Sequence, residues 1–524
     1  PIGAGDRHLY PVKVQIRQGP AILAERNILI GFRSVDWAGD GALLVNGRPV
    51  PIKATEWMPE FCPDSEQAVL DDLGKILSAN LNAVWVRTPD GFESDRFYDI
   101  CDEAGILILQ EIPAGGARLD QNRVLNLEEH ACMVAWTQCK ADMGDAGKEA
   151  NPPSDFNHMR PVLPVFPFGE QSTGIPVLSV PAAPHPQTWE DLLDEDERWP
   201  MPASWRLIGP DADALEASIP KWGTAESYTD YSLLSQSIQA ELFGAAIEQT
   251  RIAAPGSGRL ITGRLLASWP GLSPALFDAL RRPSIGFWRI KRSWEPDFLS
   301  LRRTEERFEA WVVNMGPETI TAGLTVFDAL DPASGHRSVA GVSVPSGTAA
   351  LVWSSTEESW AERAFREGDL QVLGAIAGEP ISIAELTKMA LSSAFTTSSG
   401  ESISSAELQS DRDPRLPPIL QTSLFCAAPA EIDMPTTDLH VITFGEDNGP
   451  WRVTIRPFGR KYLRQVRLTF DPPDAAYASD QFFDIVPDSG RLVTIQAVGS
   501  RRDPIRVIVI ADNAEPVAFH LMRE

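Results

Sequence analysis

Glu56, Arg87 and Glu111 each stand at or just beyond the end of a short apolar run that reads as a β-strand, at residues 50–54, 82–87 and 106–110. Carboxylates and a guanidinium at successive strand ends can hold hydroxyl groups, move a proton or pair with one another. Trp57, Trp136 and Trp269 fall near the same ends. An indole face stacks on a sugar ring, and it equally fills a core. Two arrangements follow. In one, Trp57, Glu56, Arg87, Trp136 and Trp269 line a sugar platform. In the other the tryptophans are packing residues, and Glu56 and Arg87 form an ion pair. Glu111 is the carboxylate best placed to act alone. Other chemistries lack their residues. His8, His130, His158, His185, His336, His440 and His520 show no metal-ligand spacing. Gly256-Ser257-Gly258 lacks the Lys-Ser/Thr of a phosphate loop, and no GxSxG elbow occurs. No metal and no cofactor is expected.

The elements that would position these residues alternate. After the strand at 50–54 comes a helix with Leu70, Leu73, Ile76 and Leu77 at helical spacing. A strand at 82–87, a helix at 95–104 and strands at 106–110 and 133–137 follow, with helices expected at 231–250 and 273–280. Alternation of this length predicts a parallel sheet or a (β/α) barrel over 45–295. Before it, 9–17 and 27–33 read as two strands, too few to bury a sheet face. Beyond 295 the pattern is of strands, at 308–313, 324–327 and 349–353, then 451–455, 465–470, 492–497 and 505–510. The expected organisation is 1–44 as the last strands of an immunoglobulin-like sandwich, a degenerate barrel domain over 45–295, a sandwich over 296–396, a linker over 397–418 and a second sandwich over 419–524.

Composition excludes several classes. The 524 residues carry 46 Lys plus Arg against 72 Asp plus Glu, a formal charge of −26, which opposes nucleic-acid binding. At 43% hydrophobic and 23% charged the chain is globular. No apolar run reaches the ~18 residues of a membrane span. Five scattered cysteines with no CxxC pair predict no disulfide framework and favour a reducing, cytoplasmic setting.

Longer motifs carry a resemblance. IGFRSV (30–35) and VNGRPV (45–50) lead into NLNAVWVRTPDGFESDRFYDICDE (80–103) and GILILQE (105–111). RPVLPVFPFG (160–169), YSLLSQSIQAE (231–241) and SDQFFDIVP (479–487) follow in order. This series resembles the β-mannosidase branch of glycoside hydrolase family 2, whose members read "NMNMLRVWGGGVYEPDAFYDLCDE", "GILVWQD" and "SDNYFDLLP" at these places. The resemblance implies a multidomain α/β plus all-β protein, with a (β/α)8-type barrel flanked by immunoglobulin-like β-sandwiches. It also implies that the family's first sandwich and most of its second are missing, and that the chain is a fragment, a short gene or one half of a split protein.

Against that family the chemistry is altered. The reaction needs two carboxyl groups about 5–5.5 Å apart, an acid/base and a nucleophile. Where the family has "HPSIxxWxxxNE", residues 130–141 place Lys140 and Ala141 at the Asn and Glu positions, with Asp142 one residue later. Where it has "FVSEFG", Val180 takes the nucleophile position; a rival alignment puts Pro167 there and leaves Glu170 nearby. Glu111, Glu170 and Asp142 are the fallback carboxylates. The "WQLNDCWP" strand becomes GRLLASWP (263–270), with Gly263, Leu266 and Ala267 for Trp, Asn and Asp. About 40 residues separate Ala141 from Val180, which predicts an incomplete barrel lacking one strand–helix unit. The resemblance therefore implies a pseudoenzyme serving as a structural or binding component of a protein assembly. The alternatives are an active glycosidase acting on β-linked mannosides with relocated carboxylates, and a lectin-like module. A protein partner, or an N-terminal companion segment, is expected over the first strands.

Overall fold

Ile52–Trp57, Ala83–Val86 and 107–111 are buried at nearly every position, the pattern of strands covered on both faces. The computed structural model describes residues 8–58, 65–87, 92–112, 126–138, 168–170, 175–200, 212–334, 337–378, 420–444, 450–473, 475–498 and 504–521. They form two compact units, one reaching Glu295, the other beginning at Pro296 and including 221–223. The fold is mixed α/β with many β-sheets.

The first unit opens with a hairpin, β1 (Tyr10–Gln18) and β2 (Ala21–Ile30), paired only with each other among the described residues. A three-stranded sheet follows: β3 (Val35–Trp37), β4 (Leu43–Val45) and β5 (Arg48–Val50). Asn46-Gly47 makes the β4–β5 turn with φ of 51° and 72°, the left-handed pair that a two-residue hairpin requires. Leu43, Val45 and Val50 pack in the same buried cluster as Ile52, Ala54, Ala83, Trp85, Leu107 and Leu109. The boundary expected at 44/45 therefore falls within β4.

The main sheet comprises β6 (Ile52–Trp57), β7 (Ala83–Val86), β8 (Leu107–Ile112), β9 (Met133–Gln138), β10 (Phe168–Glu170), β11 (Pro176–Leu178), β12 (Arg259–Leu266) and β13 (Ala275–Phe277). Its order is β10-β11-β12-β6-β7-β8-β9, with β13 also on β12. Every pairing is parallel except β10–β11. Among the described residues this path is open, from β9 at one end to β10 at the other.

Helices α1 (Glu66–Ser78) and α2 (Asp95–Ala104) link the early strands. Ser65 and Ser94 cap them by accepting from the amides of Ala68 and Phe97. Gly105, at φ 71°, ends α2. Farther on come α3 (Pro186–Leu192), α4 (Glu195–Arg198), α5 (Ala212–Trp222), α6 (Tyr228–Ala253) and α7 (Ile285–Ser293). A Ser227–Asp230 capping box starts α6. The helix expected at 273–280 is instead β13 and a turn. Only Ala275, Leu276 and Phe277 form a buried run, and the Asp278 carboxylate accepts from the amides of Leu280 and Arg282, which folds the chain back.

In the second unit, strands Asp297–Arg303, Phe308–Asn314 and Thr348–Ser354 form one sheet. Arg337–Val344, Ile320–Asp328, Val372–Ala377 and Leu420–Phe425 form the facing one, and both share a buried cluster that includes Leu301, Val312, Val326 and Ala375. A second sandwich, spanning 439–521, buries Val453, Ile455, Leu468, Val493 and Val507. The linker expected at 397–418 lies outside the described residues.

One buried carboxylate in this unit sets a pH dependence. Glu309, 4% exposed, accepts from Arg302 (2.8 Å), Arg307 (3.0 Å) and the Trp311 indole (2.8 Å). Burial alone would raise its carboxyl; the indole and the two guanidinium groups outweigh it and hold the group below its ordinary 4.5. A depressed native value gives stability that is present above 4.5 and is lost as pH falls from there through the native value. Glu309→Gln is expected to flatten that part of the acid limb in a melting-temperature profile. A variant limb parallel to the wild type would refute the assignment.

Candidate functional site

Period two along a strand decides which side chains can meet. On β6, Ile52 and Ala54 enter the buried cluster, so Glu56 is the next residue on that side. On β7 the series is Ala83, Trp85 and then Arg87; on β8 it is Leu107, Leu109 and then Glu111. Register aligns the strands, with Glu56 opposite Trp85 and Val86 opposite Gln110. Three charged side chains thus cap one hydrophobic interior at the C-terminal ends of its parallel strands.

The fourth member needs a backbone irregularity. Pairing of β12 with β6 shifts between Ile261 and Arg264, and Gly263 inside the shift has φ 59°. The shift brings Arg264 opposite Glu56. A Cβ on Gly263 would lie 2.5 Å from the Pro274 carbonyl oxygen. Gly263→Ala is accordingly expected to cost about 2–4 kcal/mol, strain and overpacking together, in urea unfolding. A loss under about 0.5 kcal/mol would show that the backbone relaxes freely there.

The four residues form one row of alternating sign. The Arg264 Nε donates to Glu56 Oε2 at 3.3 Å, and Arg87 donates to Glu56 Oε1 at 2.7 Å and to Glu111 Oε2 at 3.3 Å. Glu56 is 8% exposed and Glu111 4%. The Arg87 guanidinium also lies over the Trp85 ring, 5.0 Å from its centroid. Burial works against its charge, yet the two carboxylates outweigh that and hold Arg87 above its ordinary value. The expected Glu56–Arg87 ion pair is present. Both Glu56 oxygens are taken by guanidinium groups, and one Glu111 oxygen is taken by Arg87.

The tryptophans separate. Trp57 follows Glu56 and so points to the opposite side of the sheet. It is 1% exposed, packs on Phe97 of α2 at 4.9 Å and donates its indole N–H to Glu93 at 2.8 Å. Its ring is buried against α2, as in the arrangement in which the tryptophans are packing residues. A register shift between β8 and β9 sets Trp136 opposite Gln110 instead of Glu111, and its ring meets Phe92 edge-on at 6.3 Å. Trp269, just past β12, is 56% exposed. Beside it Leu266, Ala267, Ser268, Asp278, Ala279 and Arg281 line a cleft of about 160 Å³.

Val180 is fully buried, and its carbonyl accepts from the Gln239 side chain at 2.8 Å. Glu170 lies on β10, where the backbone pairs it with Pro176. Ala141, Asp142 and the alternative Pro167 lie outside the described residues.

Two features escaped sequence reasoning. Glu93, in the segment after β7, has its carboxyl pushed up by burial. The second is a cluster of Asp102, His130 and Cys132, whose ligand-type atoms lie within 4.8 Å of one another. Asp102 spans both partners, meeting His130 Nδ1 at 2.8 Å and accepting the Cys132 amide at 2.6 Å. Burial, with Asp102 adding to it, pushes the Cys132 thiol well up, away from the thiolate a metal takes. The cluster therefore ties the end of α2 to the start of β9. Residues 28 apart in sequence carry no local spacing signal for such a tie.

No family model matches the chain. Among curated proteins it is 28% identical over 146 residues to a β-galactosidase of Thermoanaerobacter pseudethanolicus, covering 25% of this chain and 19% of that protein. It is 25% identical over 164 residues to the β-mannosidase of Capra hircus, covering 26% of this chain and 18% of that one. The matched stretch thus spans less than a fifth of each relative. Among solved structures, the β-D-mannosidase of Dictyoglomus thermophilum superposes with a TM-score of 0.71 at 14% identity, over 98% of this chain and 68% of that one. The neighbours in sequence and in structure are members of glycoside hydrolase family 2. The likeness in structure carries the multidomain fold of family 2, and the ion row lies at strand C-termini, where barrel enzymes place their sites.

Proposed function

We propose that this chain is a non-catalytic relative of the family 2 β-mannosidases, acting as a structural or binding component of an assembly. The observation that carries the reading is the ion row. The resemblance places the two catalytic carboxyl groups at residues 141 and 180, and the two glutamates that do stand at described strand ends, Glu56 and Glu111, are both held by Arg87. The buried Val180, at the position the resemblance gives to the nucleophile, supports it, because without that carboxylate no glycosyl-enzyme forms.

The assembly part rests on the β1–β2 hairpin. Tyr10, Val12, Val14 and Ile16 share one face with Ala24, Arg26, Ile28 and Ile30. Tyr10, Val14 and Ile16 are 45%, 48% and 61% exposed. A two-stranded hairpin is at best marginally stable alone, so a cover is expected. Arg26 in the middle of that face disfavours a second copy, which would set Arg26 against Arg26, and favours a partner sheet that is apolar with a carboxylate opposite Arg26.

Purified chain assayed with aryl β-mannosides, β-galactosides, β-glucuronides and β-glucosaminides is expected to give no turnover above buffer. Turnover that disappears in a folded Glu111→Gln variant would overturn the reading. The exposed Trp269, next in sequence to Ser268 of the cleft, favours one second reading, sugar binding without hydrolysis. Tryptophan fluorescence titrated with β-mannosides decides it, saturable quenching that vanishes in Trp269→Ala being its signature.

A further inference from the structure

The outward side of one sheet in the second sandwich collects cations. Its strands run in the order Leu439–Phe444, Trp451–Pro457, Arg491–Ala497 and Ala476–Ala478. Leu439, Val453, Ile455, Val493, Ile495 and Ala476 enter the buried cluster, so the residues between them face outward. Register then sets Arg456 opposite His440, Thr454 between Ile442 and Leu492, Arg452 opposite Thr494, and Tyr477 opposite Gln496. Tyr477 is 52% exposed. The Arg456 Nε and Nη2 donate to His440 Nδ1 at 3.0 and 2.9 Å. Burial, and then Arg456, hold the imidazole below its ordinary 6.5, so at neutral pH it orients the guanidinium without cancelling its charge. Among the described residues neither Arg452 nor Arg456 has an ion-pair partner. In a chain with 72 Asp plus Glu, the described outward positions of these four strands hold none; Asp438 stands just before the first strand.

We propose that this face binds an acidic polysaccharide, a chain of uronate sugars lying on the diagonal from Tyr477 past Thr494 and Arg452 to Arg456. Charge selects an anion. Arg452 and Arg456, roughly 13 Å apart along one strand, each offer a fork of donors to a carboxylate. The rest of the face selects a glycan over a protein. Thr454, Thr494 and Gln496 exchange hydrogen bonds with hydroxyl groups, and the exposed Tyr477 ring covers the C–H face of a pyranose. Only Ile442 and Leu492 are apolar there, too little for the dry centre of a protein interface. An acidic peptide would instead add to a sheet edge. Here Ala476–Ala478 offers three residues, and Thr437, beside the other edge strand, is already bridged to Ala514. At physiological salt, charges beyond about 8 Å are screened, so the net −26 does not repel a ligand held at this face.

Isothermal titration of the intact chain with octagalacturonate, at about 0.15 M salt, tests it. Saturable heat is expected, and the fully methyl-esterified octamer, which lacks the charges, should give none. The double variant Arg452→Gln/Arg456→Gln is expected to bind about tenfold more weakly, the loss of two partly exposed charge-assisted contacts. Tyr477→Ala should also weaken binding while leaving its salt dependence unchanged, since the ring carries no charge. No heat at millimolar octamer overturns the proposal without any variant, and so does equal binding of poly-L-glutamate, which would make the face a dock for an acidic protein. An affinity unchanged in the double variant overturns it as well; its loss in Trp269→Ala instead would place the sugar at that cleft.

Discussion

Replacing Arg87 with Met is expected to lower the unfolding free energy by about 3–5 kcal/mol, the cost of stranding buried carboxylates by removing their partner. The substitution leaves Glu111, 4% exposed, without the guanidinium that donates to it, and leaves Glu56 with Arg264 alone. The sign with pH is distinctive. Protonation relieves a stranded carboxylate, so the deficit of Arg87→Met against the wild type should shrink as pH falls from 7 toward 5. Urea unfolding at several pH values measures both quantities. A deficit below 1 kcal/mol that does not change with pH would mean the row is loosely hydrated and does not hold the strand ends together.

Val180→Glu is expected to have an effect of similar size and to restore nothing. The residue is fully exposed to the core and not at all to solvent, and its own carbonyl is already used by Gln239. A carboxylate placed there without a partner costs at least about 3 kcal/mol, or ionises only at raised pH. Glu56 and Glu111 are both held by Arg87, so neither stands ready as an acid/base group for the new side chain. The folded variant should therefore stay inactive on aryl β-mannosides while melting earlier. Activity appearing in Val180→Glu would show instead that one substitution separates this chain from a working enzyme.

Much of the scaffold is legible along the chain because its signals are local. The helix at 95–104 follows from Ser94, the Phe97/Ile100/Cys101 spacing and Gly105, and the structure ends it at the same residues. The Glu56–Arg87 pairing is legible once both are placed at parallel strand ends. Of the two arrangements open for Trp57, period two already separates it from Glu56, because neighbouring strand residues face opposite sides. The Arg264 contribution depends on a left-handed glycine and a register shift, neither of which period-two reasoning supplies. The short strand at Ala275–Phe277 reads as helix because three buried residues are too few to carry a period.

The alternation of sign across β12, β6, β7 and β8 bears on descent as well as on stability. The inner members of the row are the constrained ones: changing Arg87 takes the guanidinium from Glu111 and changing Glu56 takes the carboxylate from Arg264, whereas losing an end member leaves its neighbour one contact within the row. A lineage that acquires the row can drift at Trp269 or along the exposed hairpin, but a change at residue 87 calls for one at 111, and a change at 56 for one at 264. Descendants of this chain should therefore keep Arg87 wherever they keep Glu111, and Glu56 wherever they keep Arg264.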